Sequence, residues 1–527
     1  MLDHPVLLRR PRLVLTLLCL VLWTPGFFTL PPGDRDESRF VQATKQMLET
    51  GDYVRIMNGQ EPRNRKPIGI HWLQAPFAAA ARAVGVAQDN PVWPYRIPSA
   101  LGALAAVLAT YAAGCTLFGR REALLAAGML ASCVVLVTEV HIAKTDAALL
   151  GATTIAMAVL SRAALGPIRR GEAAVFWLAL GAAVLLKGPV GPMVVGLAAL
   201  TLSIADRRAR WLLALRPAWG LPLMLAMVLP WFIAIGVATD GKFFADAVGG
   251  DLGRKLASGD DAHGAPPGLH TLLTPALLFP ATAALPGAVL LAWRERPSPA
   301  VRVLLAWIVP AWLVFEAVPT KLPHYTLPLY PALCLLGAAA LVRSITGPRR
   351  LAVLPAVVGG ALAVATAWVP LALGGPPFVP GLVLVGAATV LAVRARTPSR
   401  MAAAVAGSVL LYGAVFGLAL PRLPALWLAP AIVRSLPPGT TLGAVGFAEP
   451  SLMFLAGTGT RWLDAPGAAA ALADGTVNAL VVSDRDLPAV QAVLAERGLA
   501  PRTLASIRGY NVSRGRWVTL SILTPGQ

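Results

Sequence analysis

The chain has 527 residues, 56% of them apolar and only 13% charged, and its 45 basic against 26 acidic side chains leave a formal net charge of +19. With a mean hydropathy of +0.67, this composition excludes a soluble globular protein and points to the membrane class. The positive charge sits in short loops between apolar runs, so topology and anionic lipid account for it. Nucleic-acid binding, which needs a soluble basic face with aromatic platforms, is not expected.

A membrane span needs roughly 20 apolar residues. In chain order, the first such run covers 11–30, with Arg9, Arg10 and Arg12 at its start and Leu13 to Leu30 as its apolar core. Its exit, Phe27-Phe28-Thr29-Leu30-Pro31-Pro32, has no small-x-small cleavage site, so an uncleaved signal anchor is expected. Residues 31–95 form a large loop. Within it Asp36 to Thr50 carries Phe40, Thr44, Met47 and Leu48 on one side and meets Gly51 as a stop, which predicts an amphipathic helix lying in the membrane interface. Spans follow near 96–117, 123–139, 146–163, 173–187, 189–205 and 216–237, those at 173 and 189 touching across Lys187-Gly188-Pro189 as a re-entrant pair would. A second loop, 238–269, contains Gly249-Gly250, Gly259-Asp260-Asp261 and Pro266-Pro267 and predicts irregular backbone. Segments near 270–293, 302–318, 326–342, 351–373, 378–393 and 401–420 bring the total to about thirteen spans. After 420 the pattern changes. Strand-like runs at Leu442–Val445, Ala479–Val482 and Trp517–Leu523 alternate with helix-like runs at Pro450–Ala456, Ala465–Ala473 and Leu487–Gly498. The expected organisation is a transmembrane domain over 1–420 and a small α/β domain over 421–527. Cys19, Cys115, Cys133 and Cys334 all lie in apolar stretches and suit core packing, not a disulfide framework or metal cluster.

The loops alternate between two chemistries. One set is rich in arginine: Arg120-Arg121, Arg162 with Arg169-Arg170, Arg207-Arg208-Arg210, Arg294 to Arg302, Arg343 to Arg350 and Arg394 to Arg400. The other mixes acids, lysines and histidines: Asp34 to Glu37, Arg65-Lys66-Pro67, Lys144-Thr145-Asp146, Lys187-Gly188-Pro189 and Lys321-Leu322-Pro323-His324-Tyr325. Counting crossings from a cytoplasmic N-terminus puts every arginine loop inside, as the positive-inside rule requires, and 31–95, 238–269 and the tail beyond 420 outside. An active site divided among the mixed loops is the expectation.

Asp36 and Arg39 are three apart and share a helix face, which suits either an intrahelical ion pair or a site. Lys66, after Arg63 and Arg65, is a basic cluster that also fits lipid headgroup attraction. Asp146 and Lys187 stand within or between apolar runs, where ionisable groups are costly unless paired or functional. Lys321 and His324 lie in a Pro-rich turn without metal-ligand spacing. Cations at Arg39, Lys66, Lys187, Arg254 and Lys321, with few acids beside them, suit a lipid phosphate, and an isolated carboxylate suits a base or positioning group. No nucleotide-binding glycine loop is visible.

Several strings carry a resemblance: Asp36-Glu37-Ser38-Arg39-Phe40, Met47 to Tyr53, Lys66-Pro67, His71-Trp72-Leu73-Gln74, Leu186-Lys187-Gly188-Pro189, Pro230-Trp231, and Lys321-Leu322-Pro323-His324-Tyr325-Thr326-Leu327-Pro328 with Leu329-Tyr330-Pro331. In order and on one face, they resemble the membrane glycosyltransferases of the family 39/83 type. These are GT-C enzymes that include the lipid A aminoarabinose transferases and the protein O-mannosyltransferases. Gly446 to Leu455 and Gly509 to Trp517, with Asn511 as a structural residue, resemble their C-terminal domain. The resemblance implies a polytopic α-helical membrane protein of the GT-C type with a small C-terminal α/β periplasmic domain, in a bacterial inner membrane. It implies an inverting hexosyl- or pentosyltransferase that takes a sugar from a polyprenyl-phosphate carrier and passes it to lipid A, a glycan or a protein. Asp36 would be the catalytic carboxylate, with Asp146 beside it. Arg39, Lys66, Lys187, Arg254 and Lys321 would hold the carrier phosphate, and Glu37, His324 and Tyr325 would line the cavity. Two departures bear on cofactors. Arg65 stands where close aminoarabinose-transferase relatives have Glu, and Gly250-Asp251 precedes Arg254 where they carry an acid and a His or Asn. A divalent metal is therefore doubtful and no metal ligand is assigned; cations around a monophosphate leaving group suffice. A multi-span lipid or glycolipid transporter or flippase is the alternative, but no inverted repeat is evident and the acids cluster at one face.

Overall fold

The computed structural model of the protein describes residues 9–33, 36–86, 90–253 and 264–526. Each apolar run of the sequence is helical. The first is α1, Pro11–Trp23; the loop after it holds α2, Asp36–Thr50, a two-residue hairpin (β1, Met57–Asn58; β2, Glu61–Pro62) and α3, Gly69–Ala83. The helices α4 Trp93–Leu117, α5 Arg120–Ala131, α6 Val134–Val140, α7 Thr145–Leu165, α8 Arg170–Lys187, α9 Val190–Ala205 and α10 Pro217–Ala238 follow. After the second loop come α11 Leu269–Leu277, α12 Leu285–Arg294, α13 Pro299–Ala317, α14 Tyr330–Val342, α15 Leu354–Ala372, α16 Val379–Arg394 and α17 Pro398–Tyr412. Among the described residues six helical stretches, α4, α7, α10, α13, Arg349–Ala372 and Pro398–Arg422, are long and apolar enough to cross a membrane unaided. Two bent pairs raise that to as many as eight, so the protein is a polytopic helical membrane protein.

Two expected straight spans are broken. The run at 123–139 bends by 59° between α5 and α6, and that at 270–293 bends by 118° after α11. Proline explains the second, because Pro280 and Pro286 supply no N–H and exclude a continuous helix. The two breaks also satisfy each other: Val134 N donates to Phe279 O at 3.0 Å. Helices α4 and α7 pack backbone to backbone. A Cβ on Gly102 would fall 2.4 Å from Ala148 Cα, and one on Gly151 2.5 Å from Gly102 O, so only glycine permits this approach. Cys19, Cys133 and Cys334 are buried as expected, whereas Cys115 faces outward.

On the arginine-rich face the few acids pair across loops. Asp206 accepts from Arg302 at 2.5 Å, Glu172 from Arg162 at 3.1 Å, and Glu295 pairs with Arg343.

Beyond α17, a short helix α18 (Leu428–Arg434) leads into β3 Leu442–Val445, α19 Pro450–Ala456, β4 Arg461–Trp462, α20 Ala465–Ala473, β5 Ala479–Ser483, α21 Leu487–Glu496, β6 Arg502–Asn511 and β7 Arg516–Thr524. The sheet order is β4-β3-β5-β7-β6, with β3 parallel to β4 and β5, and β7 antiparallel to both its neighbours. Period-two alternation gives the sheet two apolar faces. Leu442, Ala444, Val481 and Ile522 pack under α18 and α19, while Val445, Leu480 and Val482 pack under α20 and α21. Asn511 is buried and donates to Glu449 at 3.0 Å, a structural role.

This unit docks on α2. Lys45 Nζ donates to Phe454 O at 2.8 Å, and Gln42 Nε2 to Thr458 Oγ1 at 2.9 Å, which in turn donates to Glu49 at 2.6 Å. Helix α2 spans the predicted residues and stops at Gly51, whose φ is +72°. The C-terminal unit covers part of the polar side of the helix, so Lys45 and Gln42 are buried.

Candidate active site

Helices α7 and α8 form an antiparallel pair, so the start of one stands beside the end of the other. Asp146 lies in the first turn of α7 and Lys187 is the last residue of α8, each at the helix end that favours its charge. Their side chains form a direct ion pair. The chain turns from α8 toward α9 at Gly188, where φ is +62°. Lys144 Nζ adds a second cation, 3.8 Å from Asp146 Oδ2 and 3.0 Å from Glu139 Oε1. His324 Nε2 lies 3.6 Å from Asp146 Oδ1, and its Nδ1 3.4 Å from Lys144 Nζ. Lys187 also stands 5.0 Å over the Tyr325 ring.

A cavity of about 490 Å³ opens on these groups. Its polar end is formed by Arg65, Lys66, Asp146, Lys187, His324 and Tyr325, and its wall is apolar, from Val184, Val190, Met193, Phe232, Phe243 and Phe244. The first and second loops close over it together, Asn64 Nδ2 donating to Asp246 at 3.0 Å.

Asp36 opens α2, with its side chain reaching solvent from a recess of protein. The dense surroundings oppose its ionisation, but Lys144, Lys66 and Arg63 outweigh them and Asp146, and hold the carboxyl below its ordinary range. Burial likewise opposes the Lys144 charge, yet Glu139, Asp146 and Asp36 keep that ammonium above its ordinary range. Burial drives His324 down to about 3 despite Asp146, with Lys144, Lys187 and Lys66 adding to the effect. The imidazole is therefore neutral at physiological pH.

The structure thus gathers Lys66, Asp146, Lys187, His324 and Tyr325 around one space; Asp36 is outside the lining but near enough to feel the charges of Lys144, Lys66 and Asp146. Two expectations need correction, for Glu37 and Lys321. Glu37 does not line the cavity; it is buried behind it, accepting from Arg96 Nε at 2.8 Å, Arg96 Nη2 at 3.0 Å, Ala143 N at 2.9 Å and Gly33 N at 2.8 Å. Lys321 turns away from the cavity and donates to Ala265 O at 3.0 Å and Val318 O at 2.6 Å, tying the second loop to the turn before α14. Arg39 is half-buried on α2 and is not part of the cavity lining; among the described residues no ion pair joins it to Asp36. Arg254 lies outside the described residues. Among the described residues no group of three or more His, Cys, Asp or Glu is placed to hold a metal ion. The acids that converge on the cavity are already matched by Lys144 and Lys187.

Glu139 and Arg96 were not singled out in the sequence, and Lys144 was named only within the string Lys144-Thr145-Asp146. Glu139 carried a usable signal, an acid inside the apolar run Val134–Val140, which is the same anomaly that marked Asp146.

The helical architecture and the comparisons agree on the fold. A family model for dolichyl-phosphate-mannose-protein mannosyltransferases matches residues 65–233, from the Arg65-Lys66 loop through most of α10. The fold is that of the GT-C glycosyltransferases. ArnT from Cupriavidus metallidurans bound to undecaprenyl phosphate superposes with a TM-score of 0.76 at 20% identity, covering 97% of both chains. The oligosaccharyltransferase of Archaeoglobus fulgidus gives 0.50 at 12% identity over 98% of this chain and 74% of that one. In sequence, the undecaprenyl phosphate-alpha-4-amino-4-deoxy-L-arabinose arabinosyl transferase of Pectobacterium carotovorum is 26% identical over 329 residues, 60% of this chain and 55% of that protein. The chain therefore spans little more than half the length of the curated relatives it matches.

Proposed function

We propose that the protein is an inverting glycosyltransferase that moves a sugar from an undecaprenyl-phosphate-type carrier to an acceptor in the bacterial envelope. The observation that carries this reading is a cavity whose apolar wall ends on lysines beside carboxylates, at the level where helices α7 and α8 meet the loops. An apolar wall suits a polyprenyl chain, and Lys66 with Lys187 suits its phosphate as negative charge grows there in the transition state. Asp36 is the group free to face an acceptor. Its depressed pKa keeps it ionised, ready to take a hydroxyl proton or to position an acceptor that is already charged. Asp146 is engaged by two lysines and His324 and serves to place them. Arg254 is assigned to the carrier phosphate by resemblance alone, and Arg39 remains a candidate for it from the α2 side.

The same reading places the N-terminus in the cytoplasm, about thirteen spans in the inner membrane, and the cavity with the 421–527 unit on the periplasmic side. The arginine loops support that orientation. The relatives' names make a 4-amino-4-deoxy-L-arabinose donor the first sugar to test, and lipid A, glycans and proteins are the acceptor classes.

The test is mass spectrometry of lipid A, envelope glycans and envelope proteins from cells with and without the gene, and with Asp36→Asn. One fraction should lose a sugar when the gene is absent, and Asp36→Asn should lower transfer by about 10²- to 10⁴-fold. Unchanged fractions in the deletion strain would defeat the transferase reading. Full modification by Asp36→Asn would remove Asp36 from its role.

A further inference from the structure

Glu139 is the next-to-last residue of the short helix α6, with 3% of its surface exposed, and no step above uses it. An acid in an apolar run at membrane depth is costly unless it is paired or functional. Only one of its oxygens is engaged. Oε1 lies 3.0 Å from Lys144 Nζ and 3.6 Å from His324 Nδ1, whereas Oε2 is buried without a hydrogen-bond partner among the described residues. Glu37 makes the contrast, since both its oxygens are saturated by four donors. A purely architectural carboxylate is satisfied in that way.

The neighbours of Glu139 define what it does. A lysine ammonium has three N–H groups and no acceptor, so across the 3.4 Å contact Lys144 donates and His324 Nδ1 accepts. The imidazole proton is then on Nε2, the nitrogen 3.6 Å from Asp146 Oδ1. Lys144 is also the strongest of the cations acting on Asp36. One ammonium therefore links the histidine tautomer to Asp146 by contact and to Asp36 by its field, and Glu139 anchors it from behind. The charged and titratable groups facing Glu139 are Lys144 and Asp146 at the start of α7, Lys187 at the end of α8, and His324 from the turn before α14.

We propose that Glu139 is a positioning residue for the transfer reaction: it fixes Lys144, and through Lys144 it sets the His324 tautomer and the charge felt by Asp36 and Asp146. The proposal rests on the transferase reading for its effect on rate, but not for its effect on geometry.

Glu139→Gln keeps the shape and an acceptor oxygen and removes the charge. The Lys144 charge then acts on Asp36 and Asp146 without its anchor, so Asp36 stays ionised to lower pH and becomes a weaker base. With undecaprenyl phosphate-alpha-4-amino-4-deoxy-L-arabinose as donor, the acidic limb of the kcat/KM profile should move down by about 0.5 pH unit or more. The plateau kcat should fall about tenfold, with the Kd for undecaprenyl phosphate changed by less than about threefold. Glu139→Asp, which keeps the charge, should return the limb toward its wild-type position, and it stands in should the Gln variant not fold. An acidic limb that stays in place in Glu139→Gln overturns the proposal, and so does a fall in rate explained by a lower unfolding midpoint alone. Wild-type protein that neither transfers the sugar nor alters any envelope fraction overturns the transferase reading instead. In that event a cryo-EM structure of Glu139→Gln in nanodiscs still decides the geometry: Lys144 displaced from His324 supports the anchoring role, and Lys144 in place refutes it.

Discussion

Two buried charge clusters lie within one loop of each other and are built on opposite principles. Behind α2, Glu37 and Arg96 form a bidentate pair, and the guanidinium also donates to Phe27 O, Leu30 O and Pro31 O at 3.2, 3.0 and 3.0 Å. Every strong donor and acceptor there is used, and nothing opens to a cavity. At the cavity, Glu139, Lys144, Asp146, Lys187 and His324 share contacts, several of them at 3.4–3.8 Å, and one carboxylate oxygen is left over. In the first cluster nothing is left over for a ligand, because each group already holds all its partners, whereas the second keeps capacity to spare.

Removing Arg96 is the most severe way to break that contrast. Arg96→Ala leaves Glu37 charged and buried and releases three carbonyls, so the cost is about 3–5 kcal/mol. Thermal unfolding in detergent or nanodiscs measures it, and a wild-type midpoint would refute the architectural assignment. Asp36→Asn, one residue from Glu37, should do the reverse: its exposed side chain can change without loss of stability while transfer collapses.

The contrast also explains what could be read from the chain. Apolar periodicity located α2, the helical runs and three of the five strands near the C-terminus, because each is a local pattern, but missed β4 and β6. Asp146 and Lys187 stood out as charges that apolar segments do not tolerate without a reason. Glu37, Arg39 and Lys321 were assigned from the strings they belong to, and a string does not state which way a side chain turns. Glu37 and Arg96 are 59 positions apart, and Lys144 and His324 180 apart, so only folding brings these partners together. Lys321 looked like a phosphate ligand because its two backbone acceptors, Ala265 and Val318, carry no side-chain signature.

Two neutral histidines sharpen the comparison, one packed against α2 and one at the cavity. Burial, with a smaller push from Arg63, takes His71 down to about 3, and its Nδ1 shares a 2.8 Å hydrogen bond with Thr44 of α2. His324 is held near the same value at the cavity. Both folded-state values lie below the unfolded value of about 6.5, so the unfolded chain takes up protons first as pH falls. Stability is therefore full above about 6.5 and declines between there and about 3, each histidine contributing up to about 1.4 kcal/mol per pH unit. His71→Gln should flatten this decline and leave the pH profile of transfer in place, whereas His324→Gln should change both. Unfolding midpoints measured from pH 7 to pH 4 separate the two, and an unchanged slope in His71→Gln would show that the histidine takes its proton without unfolding.

The smallest effect belongs to the arginine-rich face, where ion pairs are frequent but water-accessible. Arg302 and Asp206 bond at 2.5 Å, yet their side chains are 37% and 38% exposed. Solvent and salt screen such a pair, and holding two long side chains in one geometry offsets part of the attraction. A double-mutant cycle with Arg302→Ala and Asp206→Ala should therefore give a coupling of about 0.2–1 kcal/mol that shrinks as ionic strength rises. A salt-insensitive coupling of about 3 kcal/mol or more would place this pair with Glu37 and Arg96, in the range expected when one partner of a buried pair is removed. The arginines would then hold loops together as well as orient the chain, and exposure would cease to separate the two kinds of charge in this protein.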